Sequence, residues 1–150
     1  MLRSLRRRTN RLKALGPGGP ALLVETALLL IRVRLALTFS SLTEIQQRML
    51  PDTDLPAQMP PASLARMAWC VHNTARLVPQ ASCLTQGLVL QKLLHRRGVA
   101  SELKLGVRRD APDDLAAHAW VLVDDIVVLG GTARDLEPFS PIAKFSTGLK

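Results

Sequence analysis

Tyrosine is absent from this 150-residue chain, and two tryptophans and three phenylalanines are its only large rings. Leu, Val and Ala must therefore fill the core. No basic run is interleaved with the aromatics that stack single-stranded nucleic acid, so a nucleic-acid partner is not expected. Cysteine is as scarce: Cys70 and Cys83 are too few for a disulfide scaffold. No secretory-signal pattern is present either, which points to a reducing, cytoplasmic setting. Acids are missing from residues 1–13, where Arg3, Arg6, Arg7, Arg8, Arg11 and Lys13 supply six of the eight net positive charges. The body is close to neutral, and the basic character belongs to an arm suited to an anionic surface or to solvent. Long apolar runs are missing too. The longest in the first hydrophobic segment, residues 27–31, is far short of the roughly 20 residues of a membrane span. A core helix is therefore read and membrane contact is not expected, a membrane-surface helix beside the basic arm being the other reading.

What is present suits one domain large enough for a core without staples. The Gly/Pro cluster at 16–20 divides a flexible basic arm, residues 1–20, from a single domain over 21–150. Residues 21–38 read as an apolar core helix. Residues 41–50 read as a short helix, with Ser41 and Glu44 at capping-box spacing. The four prolines of 51–61 make a loop. In residues 62–78, Leu64, Met67, Ala68, Val71, Ala75 and Val78 recur at helical spacing, with Ser63 as cap. A fourth helix spans 83–97, stopped by Gly98. The period then changes to alternation at 101–108, predicting a strand with Leu103, Leu105 and Val107 inward. Residues 109–117 read as loop. Strands at 118–123 and 126–129 form a hairpin about Asp124 and Asp125, and 132–150 are weakly patterned. Helices over 21–97 followed by strands over about 101–130 predict an α+β domain with a small antiparallel sheet.

Cys83 opens the fourth helix, where the positive end of the helix dipole favours a thiolate. A buried, inert thiol is the other reading of such a cysteine. A thiol nucleophile needs an imidazole within hydrogen-bond reach. His72 and His95 lie on helices among polar neighbours, whereas His118 opens a strand just after a polar loop, with Trp120 on the same face. Cys70 and His72 point to opposite sides of one helix, and Cys83 and His95 lie more than three turns apart. No zinc-ligand spacing occurs, so neither a metal nor another cofactor is expected.

The run Ser82-Cys83-Leu84-Thr85-Gln86-Gly87-Leu88, the helix end Leu93-Leu94-His95-Arg96-Arg97-Gly98, and the segments 103–109, His118-Ala119-Trp120-Val121 and 127–131 together resemble one family. It is the transglutaminase-like cysteine-protease domain of lasso-peptide maturation proteins, and the resemblance covers about residues 20–145. It implies a papain-like core and a leader peptidase, which cuts a ribosomally synthesised precursor peptide so that a macrolactam-forming cyclase can close the freed core. It also implies a separate leader-recognition protein as partner. Carried over by position, Cys83 is the nucleophile and His118 the general base. The family's third member is an acid on the following strand, but the corresponding position here is Gly130. Asp135 is the nearest acid at the correct end of the hairpin and is assigned the role; a backbone carbonyl is the other way to orient the imidazole. The Cys83 backbone N–H and Gln80 are assigned to the oxyanion. A transglutaminase-type acyl transferase shares the same first half-reaction. A non-catalytic scaffold using the basic arm is the third reading.

Overall fold

The computed structural model describes residues 18–148, so most of the expected basic arm lies outside the described residues. Helix α1 spans Gly19–Phe39 and opens on Pro20, whose missing N–H costs nothing in a first turn. Helix α2, Leu42–Met49, begins with the expected capping box: Ser41 Oγ accepts from the Glu44 N–H while Glu44 accepts from the Ser41 N–H. Helix α3, Pro61–Ala75, departs from expectation. Pro60 rather than Ser63 is its N-cap, with no side-chain cap, and proline opens its first turn. Helix α4 is Cys83–His95, and Gly98, at φ 73°, turns the chain away from it.

Four strands follow in one antiparallel sheet of order β3-β2-β1-β4. They are β1 Glu102–Ala111, β2 Asp114–Val123, β3 Ile126–Leu129 and β4 Ser140–Ser146, with a one-turn helix α5, Ala133–Leu136, between the last two. Two sequence expectations are corrected here. Residues 109–117 are not a loop, because β1 and β2 continue as one long hairpin, pairing Arg109 with Leu115 and Ala111 with Asp114. These outer positions are exposed on both faces, so burial leaves no alternation for a reader to detect. Residues 132–150 contain α5 and an edge strand: β4 pairs with β1, Leu103 against Phe145 and Val107 against Ser140.

The sheet has two apolar faces. Leu103, Ala119, Val121 and Val123 join residues of α1, α3 and α4 in the main core. Trp120, Leu122 and Leu136, with Val127 and Phe139, form a smaller cluster on the other face. Alternation along β2 enforces this division. Helix α4 is the centre of the main core: Leu88, Val89, Leu93 and Leu94 are wholly buried, and Leu90 almost so. Each contributes about 1.5–3 kcal/mol by leaving water. Gly87 lets α4 lie close on the sheet, since a Cβ there would stand 2.6 Å from Leu103 Cδ1. Helix α1 runs antiparallel beside α4. Its Glu25 bonds Arg96 and Arg97 at the α4 C-terminus, and its Arg34 bonds Gln80 just ahead of the α4 N-terminus. Among the described residues, no helix is long and apolar enough to cross a membrane.

Candidate active site

Cys83 is the first residue of α4, a half-buried free thiol resting against the main core. Ser82 is the N-cap, its Oγ accepting from the Thr85 N–H at 3.3 Å. That bond satisfies one donor of the first turn. By helix geometry the Cys83 and Leu84 N–H groups have no partner four residues back within α4. A thiol beside outward-directed N–H donors is the local arrangement an acyl-transfer site needs.

The turn leading into Cys83 is strained and clamped. Gln80 has φ 59°, a region a non-glycine residue adopts at a cost. Its Oε1 accepts from Arg34 Nη2, and Arg34 Nη1 also donates to Thr38 Oγ1 at 2.8 Å. A guanidinium only donates, so Gln80 must turn its oxygen toward Arg34 and its Nε2–H2 end away. Ala81 N–H donates to Val78 O at 3.3 Å, and Gln86 Nε2 to Ala81 O at 3.4 Å, which fasten the rest of the turn. Arg34 is a participant that sequence reasoning missed. Its only trace was a charge inside an otherwise apolar helix.

His118 sits on β2 opposite Gly106 of β1. Strand β3 stops pairing at Val121 and Leu129, leaving the other flank of His118 to the turn beyond. The imidazole is half-buried, stacked on Trp120 with ring centroids 6.4 Å apart, and 5.4 Å from the Phe139 ring. Arg108 lies over the Phe139 ring, 4.9 Å from its centroid, and bonds Asp110 at 2.8 Å. His118 Nε2 is 2.5 Å from the Gly130 carbonyl oxygen. A carbonyl accepts only, so Nε2 carries the proton, and the neutral ring presents Nδ1 as its basic atom. Glycine is needed at 130. Its φ is 108°, and a Cβ there would stand 2.6 Å from Trp120 Cβ and 2.8 Å from the Ala119 oxygen.

Asp135, the acid assigned to the imidazole, is engaged elsewhere. Its Oδ2 accepts from the Thr132 N–H at 2.8 Å and the Thr132 hydroxyl at 2.6 Å. It thereby closes the capping box of α5. The Thr132 hydroxyl and then its N–H hold the Asp135 carboxyl below the ordinary range, against a smaller effect of burial. The bonded partner of His118 is instead the Gly130 carbonyl, two residues before the cap. Phe139 and Thr132 gave no sequence signal, as both lie in the stretch without a pattern.

The structure thus holds two half-sites. Among the described residues no hydrogen bond joins Cys83 Sγ to His118. Cys83 belongs to the cluster under α4, and the His118 ring to the Trp120–Phe139 face. His72 and His95 have no part in either. His95 Nε2 lies 3.0 Å from Pro51 O and 3.1 Å from Thr53 Oγ1, joining α4 to the proline-rich loop. Cys70 is wholly buried, and burial raises the pKa of its thiol, so it is a poor nucleophile.

Compared with models of protein families, residues 27–144 match the one described as the transglutaminase-like superfamily. No curated protein and no solved structure matches the chain.

Proposed function

The chain belongs to the transglutaminase-like superfamily, and from that premise we propose that it is a cysteine endopeptidase whose nucleophile is Cys83. Families of this kind support acyl transfer through a cysteine, either to water or to an amine. The observation that carries the proposal is the placement of a half-buried free thiol at the first position of α4, inside such a domain.

In the proposed reaction His118 Nδ1 takes the proton from Cys83 Sγ, and the thiolate attacks the scissile carbonyl. The oxyanion accepts from the Cys83 N–H and Gln80 Nε2. Collapse forms the thioester and breaks the C–N bond, with the Nδ1 proton passing to the leaving amine. Water, deprotonated by the same nitrogen, then releases the acid and restores the thiol. The Gly130 carbonyl holds the ring in the tautomer this cycle uses. Asp135 acts as a positioning residue, fixing through Thr132 the turn that carries Gly130. Alternation along β2 places the His118 ring with Trp120 on the sheet face away from α4, so this reading requires peptide binding to carry the imidazole round the end of the strand to the Cys83 side.

The proposed substrate is the leader-bearing precursor of a lasso peptide. It is delivered by a separate leader-recognition protein, and the freed core passes to a macrolactam-forming cyclase in the cytoplasm. This finer part rests on the joint sequence pattern of the Cys83 helix, the strand after it and the His118 segment. The test is reconstitution with a candidate precursor and its recognition protein, read by mass spectrometry. Leader release by wild type and its loss in Cys83→Ala and His118→Ala are expected. A mass gain on an amine acceptor without leader release would replace the peptidase with an acyl transferase. Activity retained in Cys83→Ala would remove both.

A further inference from the structure

Apolar side chains point from all sides of helix α1, and a helix hydrophobic all round is normally buried. Here only half of it is covered. Leu22, Leu29, Leu30 and Val33 face the core, whereas Val24, Leu28, Ile31, Leu35 and Phe39 are 60, 57, 46, 56 and 84 % exposed. Ala21 and Thr38 are exposed on the same side. The positions 21, 24, 28, 31, 35 and 38 alternate spacings of three and four without a break. That is the a/d seam of a coiled coil rather than scattered surface leucines.

We propose that this seam is covered by a second copy of the chain, the two α1 helices packing antiparallel about a two-fold axis. Three observations select this occupant. First, the seam is self-complementary. Antiparallel pairing sets Val24 against Leu35 and Leu28 against Ile31 of the second copy, then the reverse, so every central layer joins a leucine to a β-branched residue. Second, the outer positions fit in size. Phe39, the most exposed of the set, lies over Gly18 and Ala21 of the other helix, and Arg34 lies across from Ala27. Glu25, across from Arg32, is already bonded to Arg96 and Arg97 of its own chain. Third, the arms decide the direction. Residues 1–13 carry six positive charges and no acid, and they join the chain at the α1 N-terminus. Parallel helices would bring both arms together. Antiparallel ones set the two α1 N-termini apart by the length of a 21-residue helix, about 30 Å, well beyond the roughly 8 Å screening length of physiological salt. The pairing is isologous and closes on itself, as soluble two-fold dimers do.

The dimer is independent of the reaction at Cys83, and its test reads mass and geometry only. Analytical ultracentrifugation of the full chain at about 50 μM, where a micromolar association is populated, is expected to give twice the 16.4 kDa chain mass. The pair Leu28→Glu and Ile31→Glu replaces exposed side chains, so circular dichroism is expected to be unchanged while dimer dissociation rises at least about 100-fold. Direction is read by oxidative cross-linking in a Cys83→Ala background, where the remaining native thiol, Cys70, is wholly buried. Val24→Cys mixed with Leu35→Cys is expected to give a covalent heterodimer, and either protein alone little. A monomeric wild type overturns the proposal, including one that instead floats with anionic vesicles. A dimer that survives the Leu28/Ile31 pair moves the interface elsewhere. Cross-linking of Val24→Cys to itself makes the helices parallel and overturns the arrangement.

Discussion

The two halves of the candidate site are built by different means. The Cys83 half is local: a cap at Ser82, a strained residue at Gln80 and a helix whose next three turns are sunk in the main core. Only Arg34 comes from far along the chain. The His118 half is assembled from four separated segments. They are β2 for the ring, Gly106 of β1 beneath the Trp120 indole, the Gly130 turn for the hydrogen bond, and Phe139 for the wall. A thiol held by one helix tolerates distant change. An imidazole held by converging segments does not.

The contrast is broken most strongly at the nucleophile. On the proposed function, Cys83→Ala is expected to lower leader release by roughly 10⁴-fold or more while leaving the thermal midpoint nearly unchanged, because the helix keeps its cap and core. Gly130→Ala is expected to do the opposite. It places a Cβ against Trp120 at a φ of 108°, at a cost of about 2–4 kcal/mol in denaturant unfolding. Activity is lost with it, because the imidazole loses its anchor. If Gly130→Ala were as stable as wild type, the converging-segment account would fail.

Gln80→Ala sharpens the local half. Removing the proposed oxyanion donor is expected to lower kcat by about 10–10² with little change in KM, and Arg34→Ala by less, since it only aims the amide. A change confined to KM would make Gln80 a substrate contact instead. Smaller still is the Glu25 bond between α1 and α4. Burial works against the Glu25 carboxylate, but bonds from Arg96 and Arg97 outweigh it and hold its pKa below the ordinary 4.5. A lowered folded-state value means that the stabilisation is complete above pH 4.5 and disappears as pH falls through that lower value. Glu25→Gln is therefore expected to cost about 0.5–1 kcal/mol at neutral pH, the partial exposure limiting it. The gap to wild type should close as unfolding is repeated at pH values progressively below 4.5.

Much of the Cys83 half was legible in the sequence. The helix start, the arginine pair and the Gly98 stop are all one-dimensional signals, and the helices at 21–38 and 41–50 fell within two residues of the observed ones. Arg34 was not legible as a partner of Gln80, because two residues 46 apart meet only once α1 lies along α4. In the His118 half the strand and its Trp120 neighbour were legible, and Gly130 stands out in the sequence as the position without an acid. That its carbonyl meets the imidazole was open, since a main-chain group leaves no letter in a sequence. The choice of Asp135 followed from counting across the hairpin. Its bonds to Thr132 depend on α5, which hides in four residues among exposed neighbours.

The sequence by itself determined the α+β order, the four helices ahead of the strands, the Asp124–Asp125 hairpin and the placement of Cys83 at a helix start. Each depends on periodicity, capping or turn chemistry within a few residues. Only the tertiary structure decided that β4 returns to pair with β1, that one face of α1 stays uncovered, and that the His118 ring is anchored by Gly130. These are packing outcomes between segments far apart in the chain. An exposed edge strand, a half-covered helix and a backbone acceptor carry no pattern of their own.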